Sequence, residues 1–114
     1  MKSRRFFGAR FTALLIACLF LVLVGTSARA ADDPAALYKT KCAACHGADG
    51  SGNTAMGKAF KLRDLGSSEV QAQTDAQLIA ITSDGKNKMP AYKGKLTDEQ
   101  IKGLVGYIRT LKRT

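Results

Sequence analysis

Cys42-Ala43-Ala44-Cys45-His46 is the stretch from which the rest of the chain can be read. It sets two thiols two residues apart and follows the second with an imidazole. Structural zinc takes four ligands, and beyond residue 30 the sequence offers only these two cysteines and one histidine. A thioredoxin-type dithiol sits beside a βαβ unit, and no alternating run here suggests a strand. A plain disulfide leaves His46 without a role. C-x-x-C-H is also the spacing of covalent haem attachment. At the end of a helix, two such thiols can each add across a vinyl group on one edge of a porphyrin. The next residue then projects its imidazole beneath the iron, with its second ring nitrogen left to find a fixed acceptor.

Upstream of the motif, Asp33 is an N-cap and Pro34 a first helical residue, so a helix should run through Leu37 and Tyr38 to Cys42. Before it, Lys2, Arg4, Arg5 and Arg10 form a basic segment, Phe11 to Gly25 is almost wholly apolar, and Ala28-Arg29-Ala30 is a small-x-small site. That order describes an export signal cleaved after Ala30, leaving residues 31–114 as the working domain. An uncleaved anchor is the alternative, since the apolar run approaches a membrane span in length. Ser3-Arg4-Arg5-Phe6-Phe7 resembles a twin-arginine signal. Leu15-Ile16-Ala17-Cys18 resembles a lipoprotein box, but more apolar residues follow Cys18, so that cysteine is expected to leave with the leader. Five of the eighteen Lys and Arg residues lie in 1–30 with no acid, so the formal charge falls from +9 to +4 beyond it. No dense basic stripe remains to bind nucleic acid, and no membrane span is expected in the mature protein. One domain of this size is marginal on apolar burial alone. A large apolar prosthetic group would complete it.

Downstream, Gly47, Gly50, Gly52 and Gly57 mark a loop, and Ser67-Ser68-Glu69 a short helical turn. Thr74-Asp75-Ala76-Gln77 is a capping box opening a helix that Gly85 ends. Thr97-Asp98-Glu99-Gln100 is a second one. Behind it, Ile101, Leu104, Val105, Ile108 and Leu111 keep one apolar face of a 3.6-residue period. Gly103 and Gly106 each cost that helix roughly 1 kcal/mol relative to Ala, which is easier to understand if another backbone crosses nearby. The fold class is all-α, about four helices around one covalently bound haem.

The iron's sixth ligand is the remaining question. His46 is the only histidine, so two histidines from one chain are excluded. Met89 sits in Lys88-Met89-Pro90-Ala91-Tyr92, where the proline holds its predecessor extended. Met56 lies in the glycine loop; about 33 Å of extended chain would let it reach, but it reads as a gap-filling core methionine. Met89 is the expected ligand, with Met56 and an open sixth position as alternatives.

Residues 33–112, with CAACHG, KMPAY and a first helix paired with the last, resemble the class I monohaem cytochromes c of the short, cytochrome c6-like kind. The resemblance implies haem c bound through Cys42 and Cys45 and ligated by His46 and Met89. It implies a periplasmic carrier of single electrons rather than an enzyme, since such proteins receive haem after crossing the membrane. It also implies that Tyr38 packs against Leu104 and Tyr107. Lys86, Lys88, Lys93 and Lys95 flank the methionine and would attract redox partners with acidic docking surfaces; a solvated loop is the alternative. An electron-transfer subunit of a larger oxidoreductase complex, or a five-coordinate sensor or peroxidase, are the rival functions. Two features depart from the family. Pro34 stands where a glycine is common at the helix crossing, and no proline between Gly47 and Met89 is present to orient His46.

Overall fold

The computed structural model describes residues 33–114; the expected leader, residues 1–30, lies outside the described residues. Six helices follow in order: α1 (Pro34–Lys41), α2 (Ala43–His46), α3 (Ala55–Ala59), α4 (Ser68–Gln71), α5 (Asp75–Asp84) and α6 (Asp98–Thr110). Among the described residues the only extended pairings are two isolated bridges, Lys86 with Met89 and Lys93 with Leu96.

The caps read from sequence are all made. Asp33 accepts from Ala35 N at 3.2 Å and Pro34 opens α1. Both capping boxes close reciprocally: Thr74 N donates to Gln77 Oε1 at 2.8 Å, and Thr97 N to Gln100 Oε1 at 2.9 Å. Ser67 caps α4. Three departures concern helix boundaries. The first helix reaches Cys42 as expected, but the motif itself forms a separate turn, α2, that the sequence reading did not assign. The glycine loop contains α3, capped by Thr54, whose hydroxyl accepts from Gly57 N at 2.8 Å. The last helix ends at Thr110, so Leu111 is its C-cap and not a helical residue.

Helix α6 crosses α1. Leu37, Tyr38 and Leu104 are buried together, with Tyr107, Ile108 and Leu111 packed against them. The Tyr38 and Tyr107 rings lie 5.0 Å apart and tilted. The crossing is made at Gly103, where a Cβ would stand 3.1 Å from Pro34 Cγ; at Gly106 it would meet nothing within 4 Å. Pro34 therefore occupies the position where a glycine was expected because the space comes from the other helix.

A second cluster, Val70, Leu78 and Val105, joins α4 and α5 to the other side of α6. Arg109 fixes this joint by donating to Gln71 O (2.9 Å), Gln73 O (2.6 Å) and Asp75 Oδ1. Among the described residues, only seven large apolar side chains are buried: Leu37, Tyr38, Val70, Leu78, Ile101, Leu104 and Val105. That is a thin core for a chain that must offset the ordering entropy of its backbone. Met56 does not add to it. The expectation of a core methionine is corrected by its position on α3, where it is 44% exposed, as Phe60 is at 39%.

Candidate haem-binding site

The motif is held from both ends. Tyr38 OH donates to Gly47 O at 2.7 Å, and burial pushes that hydroxyl far above its ordinary pKa, so it remains a donor. Gly52 N donates to His46 O at 2.7 Å, and Thr54 Oγ1 to Cys45 O at 2.6 Å. The loop thus folds back over the carbonyl end of α2 and takes up acceptors that a four-residue helix leaves open. A side chain at Gly57 would collide with Gly52 O, and its Cβ would come within 2.9 Å of Cys45 O. Only glycine fits that approach.

Cys42 and Cys45 are free and half-buried. Burial, and then the neighbouring Cys45, push the Cys42 thiol up to about 11, so it is protonated at neutral pH. Burial lowers the His46 pKa, keeping the imidazole neutral with a lone pair available for a metal. Among the described residues no orienting acceptor is found either: His46 Nδ1 is buried with no hydrogen-bond partner.

Met89 arrives from the other side. Lys86 and Met89 exchange backbone bonds of 3.2 and 2.9 Å across a tight turn in which Asn87 takes φ 55°. Tyr92 N and Lys93 N then donate to Thr82 O and Ser83 O, returning the loop to the end of α5. The outcome is a shared cleft made of three cavities, of about 250, 140 and 60 Å³, each lined by both His46 and Met89. The 140 Å³ cavity also carries Cys42 and Cys45, so all four residues read from sequence meet there. Met56 of α3 lines it as well, as does Phe60, the C-cap of that helix. Leu65, Leu78, Leu104 and Ile108 wall the 60 Å³ cavity, and they belong to both buried clusters or pack on them. Among the described residues no carboxylate lines any of the three, whereas Lys61, Arg63, Lys86 and Lys88 border the largest. Nor is there a group of three or more His, Cys, Asp and Glu residues able to hold a metal ion unaided.

The family profile described as "Cytochrome C oxidase, cbb3-type, subunit III" matches residues 29–108. Cytochrome c6 of Thermosynechococcus vestitus is 38% identical over 96 residues, 82% of each chain. Cytochrome c6 of Nostoc sp. is 37% identical over 98 residues, 83% of this chain and 85% of its own. The chain belongs to the class I c-type cytochromes. A solved structure named KustC0563 c-type cytochrome superposes on 71% of the chain and 99% of its own with a TM-score of 0.67, at 35% identity.

As a c-type cytochrome it is a small electron-transfer protein with a covalently bound haem c. The site fits such a group on its own terms. Its walls are apolar, its largest opening is bordered by cations that suit peripheral carboxylates, and a half-buried neutral imidazole faces the cleft beside the two cysteines. Together the cavities fall within the roughly 300–1,000 Å³ usual for ligand sites. Sequence reasoning missed two contributors to this cytochrome's site. Thr54, before Ala55-Met56-Gly57, carried an N-cap signal that the surrounding glycines obscured. Tyr92 was read only as an aromatic of the methionine loop, yet its hydroxyl donates to Lys41 O at 2.9 Å.

Proposed function

We propose that the protein is an exported, periplasmic carrier of single electrons. Cys42 and Cys45 would hold haem c by thioether bonds, and His46 and Met89 would ligate its iron. The observation that supports this best is the joint lining of all three cavities of the cleft by His46 and Met89, with both cysteines at the edge of one. When bound, the haem supplies one-electron Fe(III)/Fe(II) chemistry, at the relatively high potential that His/Met ligation favours. The chain's own residues do the rest. Cys42 and Cys45 would supply the thiols for covalent attachment. The neutral His46 imidazole offers one nitrogen while Gly52 and Thr54 fix the backbone carrying it. Leu65, Leu78, Leu104 and Ile108 exclude water, and Pro90 stiffens the segment that presents the Met89 thioether.

Residues 1–30 are the cleaved export signal in this reading. No helix among the described residues is long and apolar enough to cross a membrane. Lys86, Lys88, Lys93 and Lys95 are all exposed on the methionine loop and suit an acidic partner surface. A second reading, an electron-transfer subunit of a larger oxidoreductase, is favoured by the oxidase-subunit description of the matching family. A tight, salt-resistant complex on purification would put it ahead of the soluble shuttle.

Intact mass and optical spectra test the proposal. The mass should equal residues 31–114 plus one haem and should survive acid–acetone extraction. Ferric protein should show the weak near-infrared band of sulfur-to-iron charge transfer, and ferrous protein should bind carbon monoxide poorly. Met89→Ala should remove the band, admit carbon monoxide and lower the potential, whereas Met56→Ala should leave all three nearly unchanged. Loss of the band in Met56→Ala would transfer the ligand role to that residue. Ready carbon monoxide binding by wild type would favour a sensor or peroxidase.

A further inference from the structure

The carbonyl of Lys41 is an acceptor with an unusual history. It stands at the end of α1, where helix geometry leaves carbonyls open, and the break at Cys42 removes the continuation that would have used it. Cys45 N and His46 N both donate to Cys42 O, at 3.2 and 2.9 Å, so the tightened turn passes over Lys41 O. Tyr92 OH takes it instead at 2.9 Å, from a position fifty-one residues along the chain. The same residue donates its backbone N–H to Thr82 O at 3.1 Å, and its carbonyl accepts from Lys95 N and Leu96 N, each at 2.9 Å. Tyr92 therefore joins α1, the end of α5 and the loop that carries Met89. Its half-buried side chain lines the cavity that holds Cys42, Cys45 and Met89.

We propose that Tyr92 is a positioning residue whose hydroxyl latches the Met89 loop onto the helix preceding the attachment cysteines. The proposal rests on the reading of Met89 as the sixth ligand. Lys41 adjoins Cys42, so the latch references the methionine to the same backbone that fixes the cofactor's edge. The loop's other hydrogen bonds run to α5 and within itself, and Leu96 at its far end packs on the Leu37–Tyr38–Leu104 cluster. Without the hydroxyl, those ties keep the loop folded but no longer fix the distance of its Met89 end from α1. Lys41 is exposed, so water can satisfy its carbonyl once the hydroxyl is gone. The loss then appears in the opening equilibrium of the loop more than in global stability. A neutral hydrogen bond of ordinary net strength changes such an equilibrium about fivefold.

The test uses the haem-loaded protein. Tyr92→Phe keeps the ring and removes the donor. It should bind carbon monoxide in the ferrous state about fivefold faster than wild type. Its ferric near-infrared band should be present at low temperature and fade at a lower temperature than in wild type. Arg113→Gln is the control, because it cuts the 2.8 Å bond to Asp64 Oδ2 away from the loop; its carbon monoxide rate should stay at the wild-type value. A Tyr92→Phe protein matching wild type in both rate and band overturns the latch while leaving Met89 as ligand. Equal acceleration by Arg113→Gln also overturns it, since any loosening would then suffice. A wild type with no band and fast carbon monoxide binding rejects the Met89 reading itself, and the latch falls with it.

Discussion

Gly103→Ala and Gly106→Ala are the same chemical change on one helix, and the fold separates them. Both sit inside α6, where alanine is worth about 0.8–1 kcal/mol over glycine. At Gly106 nothing lies within 4 Å of the added methyl, so nearly the whole gain should appear. At Gly103 the methyl would stand 3.1 Å from Pro34 Cγ, short of the roughly 3.5–4.0 Å at which two carbons attract. The helices must then move apart by a few tenths of an ångström at a junction that holds Leu37, Tyr38 and Leu104, three of the few buried side chains. Overpacking of that kind costs about 1–3 kcal/mol, enough to cancel or reverse the propensity gain. Guanidinium unfolding of the haem-loaded protein, followed by helical circular dichroism, should place Gly106→Ala about 1 kcal/mol above wild type and Gly103→Ala at or below it, with unchanged slopes. A double-mutant cycle with Pro34→Ala isolates the contact, and the coupling should be favourable once the ring is gone. Equal stabilisation by both alanines, with no coupling to Pro34, would refute the crossing as described.

Three further outcomes follow from the site. Replacing both Cys42 and Cys45 with Ala in an exported chain should leave little folded protein, because the cavity walls are the two buried clusters themselves; cooperative melting of a helical apoprotein would count against this. If Lys86, Lys88, Lys93 and Lys95 steer docking, the second-order electron-transfer rate with an acidic partner should fall as salt rises, and a flat profile would return them to solvated surface. The hydrogen bond from Arg113 holds the Asp64 carboxyl below its ordinary pKa. Its stabilisation is complete above the unfolded carboxylate pKa of about 3.9 and is lost as pH falls through the lower folded value. Asp64→Asn should therefore flatten the acid limb of a stability–pH curve, and an unchanged limb would remove Asp64 from the account.

Local signals in the sequence were reliable where a few adjacent residues carried them. Thr74 with Gln77, Thr97 with Gln100, and Asp33 with Pro34 each define a helix start by bonds that close within a turn. Cys42, Cys45, His46 and Met89 stand out in the sequence because their chemistry is scarce there, and the fold brings all four to one cavity. What escaped depended on distant backbone. Helix α3 was hidden by Gly57, which is there for its approach to Gly52 and Cys45 rather than for flexibility. Met56 was taken for core because an isolated methionine gives no sign of which face of a five-residue helix it will occupy. The bond from Tyr92 to Lys41 crosses fifty-one residues and leaves no periodicity or motif. The choice of Gly103 over Gly106 at the crossing likewise required the position of Pro34.

The methionine loop leaves α5 at Gly85 and is tied back to Thr82 and Ser83 of that same helix. Its departure and return lie side by side, while the α1–α6 crossing that organises the fold is made elsewhere. Substitutions at its exposed positions, with Met89, Tyr92 and Leu96 kept, can therefore accumulate without reopening that crossing. Those exposed positions form an exchangeable rim, and evolution could retune the surface offered to a partner while the scaffold stays the same.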